Sequence, residues 1–269
     1  MIHQASAIPG EGKGDPVKDL YDPAIKGVKY IVESIAKVST VKKLVFTSSV
    51  VANVGDPKDE GKISDTTWNP VTLEQALADG EKFKQDPSSI FVVYRASKAL
   101  AERTLWETAG DASSRSFAVT ALNPALILGP PITPDTPAFD NSSSNGLFWQ
   151  FLSARPVDTT GEQAGAAALG LIDVRDSAQL HVSALLNKQS NEKRFVTFAA
   201  QLTLAESSKI LIDNKIGKDT LPFDPQEAVE KSSYTRKAFP SITSDLESTF
   251  SFKFRPIERT IVDLFQHAQ

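Results

Sequence analysis

The sequence predicts an α/β fold built on a parallel sheet, and three observations carry that prediction. An apolar stretch at residues 1–8, a helical repeat at 23–38 and the run Leu44–Thr47 follow one another as strand, helix and strand, which is one βαβ unit. The alternation continues, with helix 95–107 before strand 117–122 and helix 174–186 before strand 195–198. A chain of 269 residues, 41% hydrophobic and 23% charged, can bury a core of that size.

Each element has a local reason. Residues 1–8 read as a short buried strand, and the stretch AIPGEGKGDP after them as a loop. Asp22-Pro23 opens a helix, because aspartate caps and proline fits the first helical position. Ile25, Val28, Ile31, Val32, Ile35 and Val38 recur at helical spacing, which predicts an amphipathic helix over 23–38. Lys42 and Lys43 introduce the strand Leu44–Thr47. Residues 51–90 read as irregular, punctuated by Gly55, Pro57, Gly61, Pro70, Gly80 and Pro87, and a segment of that length covers or forms a site. Good helix formers fill 95–107, and Asn123-Pro124 is expected to end the regular pairing of the strand before it. Residues 129–146, rich in Pro, Ser and Asn, mark an excursion or a domain boundary. After the strand at 195–198 come three helical stretches, the last starting at Pro256 and burying Ile257, Ile261, Val262 and Leu264.

Composition narrows the chemistry. The net charge of −4, with no Lys/Arg block, argues against nucleic acid and anionic membrane as partners. No cysteine is present, which excludes disulfides, thiolate catalysis and Cys-ligated zinc, and suits a cytoplasmic protein. The three histidines, His3, His181 and His267, lack metal-ligand spacing, so no metal is expected. Apolar runs fall short of the ~20 residues of a membrane span, and the N-terminus lacks the pattern of a signal peptide.

The chemical signal is Tyr94 and Lys98, four residues apart on one helix face, with Ser48 and Ser49 closing the strand KKLVFTSS. A free tyrosine, with a pKa of about 10, is a sluggish acid near neutrality; a nearby ammonium favours its phenolate. A hydroxyl at a strand's carboxyl end can hydrogen-bond a substrate oxygen, where open parallel sheets bind ligands. Such a pair arises by chance in many helices as a packed ring beside a solvated ammonium. The strand ending in Thr-Ser-Ser, the small Ala96 and Ser97, and Glu102 one turn on raise this one above that background.

Several motifs in order, IHQAS, DPVKDLYDPAIKG, KKLVFTSS, YRASKALAE, LNPALILGP, IDVRDSAQLHVSAL and FKFRPIERTIVD, carry a resemblance that runs from residue 2 to the C-terminus. The chain resembles the extended short-chain dehydrogenase/reductases of the NAD-dependent epimerase/dehydratase family, in particular the dihydroflavonol-reductase-like and fungal aldehyde/ketone reductases. The resemblance implies a partial doubly wound, Rossmann-like parallel sheet. Residues 1–128 would form part of a dinucleotide-binding domain and 129–269 a smaller C-terminal substrate-binding region, with about 170–200 returning to the sheet. Tyr94 would be the general acid that protonates a carbonyl oxygen, and Lys98 would lower the Tyr94 pKa and hold the nicotinamide ribose hydroxyls. Ser49 matches the catalytic serine, and Thr47 and Ser48 line the cofactor cleft. Ala5 and Ser6 match the strand end beside the adenosine half, and Pro124 and Leu126 the backbone that contacts the nicotinamide amide. Asp173, Arg175 and Asp176 match a segment that organises structure.

The activity so implied is NAD(P)-dependent reduction of a ketone or aldehyde to an alcohol, with NADP (NADPH) favoured over NAD and a small carbonyl or alcohol as substrate. A sugar-nucleotide epimerase or dehydratase and a non-catalytic dinucleotide-sensing or protein-binding relative are the alternatives. Val50 and Val51 after Ser49 lean against a dehydratase, and retention of both Tyr94 and Lys98 against a non-catalytic relative. By the same resemblance, Met1 aligns just before a fourth strand. The GxxGxxG portion that binds pyrophosphate, about 75 residues at roughly 30 per βαβ unit, is then expected to lie outside this sequence, along with the residues that select the cofactor. Gly10, Gly12 and Gly14 do not replace it, because their spacing is one short and Asp15-Pro16 follows; they read as a surface turn.

Overall fold

The computed structural model describes residues 1–7, 14–54, 63–85, 90–133, 137–140, 143–153, 168–216 and 242–267. The turn expected at Gly10 and Gly12 lies outside these residues, as do 134–136 and 141–142 of the expected boundary loop at 129–146. Contacts divide the chain into two units: Met1–Pro124 with Leu180–Thr197 and Pro240–Phe252, and Ala125–Gln179 with Phe198–Phe239 and Lys253–Gln269.

In chain order the elements are β1 (Ile2–His3), a π-helical turn at Val17–Tyr21, α1 (Asp22–Ala36), β2 (Lys43–Thr47), β3 (Ile63–Ser64), α2 (Leu73–Gln85), α3 (Ile90–Ala109) and β4 (Ala118–Pro124). Then come β5 (Leu126–Leu128), α4 (Ser144–Ser153), β6 (Ala168–Asp173), α5 (Val174–Leu186), β7 (Lys193–Thr197), β8 (Ala200–Thr203), α6 (Leu204–Asp213), β9 (Ile242–Thr243), α7 (Leu246–Phe250) and α8 (Ile257–His267).

The first unit is the expected α/β fold, a parallel sheet in the order β1-β2-β4-β7. Its central strands β2 and β4 are buried almost throughout, the burial of parallel strands covered on both faces. The buried residues of α1 (Ala24, Val28, Val32, Ile35) pack with Leu44 and Phe46 of β2, Val119 and Ala121 of β4, and Ala101 and Leu105 of α3. The strand at the N-terminus differs from expectation. It spans two residues at the sheet edge, and Met1 and Ile2 are each 36% exposed because β1 pairs with β2 alone.

Two further differences shape the site. The 51–90 region is not wholly irregular: it carries β3 and the thirteen-residue α2. Asn123 and Pro124 do not end strand pairing. They pair with Val196 and Thr197 of β7, while the pairing with β2 stops at Thr47 opposite Leu122. Proline is tolerated there because the side facing β2 makes no ladder at that level.

The second unit holds the sheet β5-β6-β8, parallel between β5 and β6 and antiparallel between β6 and β8, three strands that local patterning did not predict. Its core gathers Phe148 and Leu152 of α4, Leu171 of β6, Leu211 of α6, and Ile257, Ile261, Leu264 and Phe265 of α8. Asp173, fully buried, accepts hydrogen bonds from Arg175, Arg255 and Thr260, and Arg255 also pairs with Asp176. Burial pushes the Asp173 carboxyl up, but the hydrogen bonds from Arg175 and Thr260 outweigh it and hold the group below the ordinary carboxylate range.

Candidate active site

The site is assembled where β2 ends. The backbone N–H of Ser48 still donates to Leu122 O (2.8 Å). Ser49 is extended and caps a 3₁₀ turn at Val50–Ala52, its Oγ accepting from Val51 N at 3.4 Å. That cap turns the chain away from the sheet and leaves the Ser49 hydroxyl at the strand's carboxyl end. The helix α3 supplies the rest. Tyr94, half-buried, has its ring hydroxyl hydrogen-bonded to the Ser49 side chain. One turn on, Lys98 is 4% exposed and sends its Nζ to Ser6 Oγ (3.3 Å) and Thr47 O (3.5 Å).

Ser6, Thr47, Ser49, Tyr94 and Lys98 therefore meet in space, and Ser48 adjoins them. Ala5 lies exposed beside Ser6, past the end of β1. Pro124 closes β4 in the same unit, and Leu126 opens β5 in the second unit.

Burial raises the Tyr94 pKa and the Ser49 hydrogen bond opposes it; the group stays above its ordinary value, so the phenol keeps its proton at neutral pH. The Lys98 ammonium is turned toward Ser6 and Thr47. Burial pulls Lys98 itself down to about 8, with the Glu102 carboxylate acting against the fall.

Sequence reasoning missed the polar network below the site. Glu102, one turn beyond Lys98 and fully buried, accepts from Ser48 Oγ (2.6 Å), Asn123 Nδ2 (2.7 Å) and Arg194 Nε (2.6 Å). Arg194 also donates to Asp65 O (3.1 Å) and Thr67 O (2.7 Å), and its guanidinium lies 3.5 Å from the centre of the Trp68 ring. His181 is buried and shares a 2.7 Å hydrogen bond with Thr47 Oγ1. His3 tilts against Phe46, and burial, then the Lys98 charge, push its pKa down. The signal for Glu102 was its place at four and eight residues from Lys98 and Tyr94; nothing local pointed to Arg194, 92 residues away.

A parallel sheet with a strand-end serine set against a Tyr-x-x-x-Lys helix is the arrangement of the extended short-chain dehydrogenase/reductases. Residues 2–159 match the model of the NAD-binding family described as "Male sterility protein", and the chain belongs to that family. It is similar to the NADPH-dependent methylglyoxal reductase GRE2 of Saccharomyces cerevisiae, 29% identical over 258 residues, which are 93% of this chain and 70% of the yeast protein. It is also similar to the ketoreductase azaE of Aspergillus niger, 31% identical over 190 residues, 70% of this chain and 52% of the relative. Among solved structures, that of yeast methylglyoxal/isovaleraldehyde reductase Gre2 complexed with NADPH superposes with a TM-score of 0.79 at 28% identity, over 99% of this chain and 75% of the yeast chain. Among the described residues, no helix is long and apolar enough to cross a membrane, and no group of three His, Asp or Glu side chains is placed to hold a metal ion.

Proposed function

We propose that the chain is the proton-transfer part of an NAD(P)-dependent reductase that converts a ketone or aldehyde into an alcohol. The observation that carries this reading is the meeting of Tyr94, Ser49 and Lys98 at the carboxyl end of β2, with the tyrosine held as a neutral phenol. A substrate carbonyl oxygen placed against both hydroxyls accepts a hydrogen bond from Ser49 and the phenolic proton from Tyr94. The dinucleotide, when bound, supplies the hydride that completes the reduction.

Lys98 fits such a group. Its ammonium has three donors and makes two contacts, both long, so it can also donate to a ribose hydroxyl. Thr47, Ser48, Ala5, Ser6, Pro124 and Leu126 are the remaining proposed contacts, with residues 1–128 as the dinucleotide-binding part and 129–269 as the substrate region. NADPH is favoured because the yeast relative is an NADPH-dependent reductase, and methylglyoxal, which that relative reduces, is the first carbonyl to test. The test is fluorescence titration of the purified chain with NADPH and NADH, followed by consumption of the reduced cofactor with aldehydes and ketones. Saturable binding with carbonyl-dependent consumption is expected. Absence of binding to either cofactor would overturn the reading for this chain.

A further inference from the structure

Glu102 is tied to more of the site than any other side chain below it. Its carboxylate takes Arg194 Nε at 2.6 Å and Nη2 at 3.3 Å, both from β7. Its other partners are Ser48 Oγ at the end of β2, Asn123 Nδ2 at the end of β4, and Trp106 Nε1 at 3.5 Å on its own helix. The Asn123 amide also donates to Ser49 O (3.3 Å) and to Asn53 Oδ1 (2.8 Å). One buried carboxylate thus holds the residue before Ser49 directly and the Ser49 carbonyl through Asn123. Stability alone is a weak reason for such a pair, since well-packed apolar residues in place of a buried ion pair are often as stable or more so.

We propose that Glu102 is a positioning residue of this site: anchored by Arg194, its carboxylate fixes the Ser48–Ser49 turn and provides the counter-charge that keeps Lys98 an ammonium. The proposal rests on the roles given above to Tyr94, Lys98 and Ser49. Lys98 needs a counter-charge because it is almost fully buried, and Glu102 lies one turn on along α3 with its carboxylate on Ser48 Oγ, next to the Thr47 carbonyl that takes the ammonium. Among the described residues, the titratable groups around it are Glu102 and Tyr94 on its own helix and His3 on β1; Thr47 and Ser6 offer neutral oxygens. The ion pair facing Glu102 from the sheet is Arg194.

The test reads Lys98 itself. Its side-chain NMR signal, assigned with Lys98→Met, is titrated in the parent chain and in Glu102→Gln, which keeps the shape and removes the charge. The expected result is a Lys98 midpoint lower by about one pH unit, a tenfold weaker hold on the proton. The alkaline limb of NADPH-dependent turnover should fall with it. A folded Glu102→Gln chain whose Lys98 midpoint matches the parent overturns the proposal. If that chain does not fold, Glu102→Asp is used: the charge withdraws by one methylene, a smaller fall is expected, and an unchanged midpoint is again fatal. A parent chain that shows no turnover while the Lys98 midpoint still shifts would refute the reductase reading and leave the role of Glu102 toward Lys98 standing.

Discussion

Replacing Arg194 with methionine should be among the most damaging single changes in the first unit. Arg194 donates to both carboxylate oxygens of Glu102 and to the carbonyls of Asp65 and Thr67, and it stacks on Trp68. Removing it leaves Glu102 as a buried charge without its cation. Breaking one side of a buried pair costs about 3–5 kcal/mol. At about 2–4 °C per kcal/mol for a chain of this size, the melting temperature should drop by roughly 6–20 °C. The assay is thermal unfolding followed by far-ultraviolet circular dichroism, with Arg194→Met compared with the double variant Glu102→Leu/Arg194→Met. The double variant leaves no unpaired carboxylate and should recover part of the loss, the remainder being the counter-charge that Lys98 then lacks. A single variant that melts within about 2 °C of the parent, or a double variant worse than the single, would refute the reasoning that an uncompensated charge is the cause.

Tyr94→Phe should lower turnover at least ~100-fold, the lower range for a general acid, while NADPH affinity by fluorescence titration stays unchanged; retained turnover would remove Tyr94 from its role. Gly170→Ala should destabilise by about 1–3 kcal/mol in urea unfolding, because the new Cβ would lie 2.3 Å from Phe198 Cε2, and a neutral result would show that the ring has room to move. Lys43, whose Nζ donates to Asn187 O and Ser190 Oγ, is held by burial at about 8 against 10.5 in the unfolded chain. Between these values the unfolded chain binds more protons, so Lys43 makes stability rise as pH climbs from about 8 to 10.5 and adds no slope below. Unfolding measured across that window should show a shallower rise in Lys43→Met than in the parent; an equal slope would contradict the assignment.

What the sequence revealed follows from where the information is local. The helix α1 was predicted within two residues at each end because its buried face is made of large apolar side chains at regular spacing. The helix α2 went unseen because its inward face is Ala76, Gly80 and Phe83. Ala76 and Phe83 are buried and Gly80 faces Pro16 and Tyr21, so two of the three positions carry almost no hydropathy. Asn123-Pro124 misled for another reason: the rule that proline ends pairing applies to a strand paired on both sides, and β4 outruns β2. In the site, the Tyr94–Lys98 spacing was legible because a helix brings residues four apart together. The orientation of Lys98 toward Ser6 and Thr47 was not, since it depends on contacts spanning 92 and 51 residues.

The reach of β4 past the last pair of β2 has a consequence for variation. At that level the Asn123 side chain does what a neighbouring strand would have done: it holds the Ser49 carbonyl and Asn53. The serine is therefore located by β4 and α3 as well as by the 3₁₀ turn that it caps. A substitution at Asn123 is thus felt at Ser49, 74 residues away along the chain.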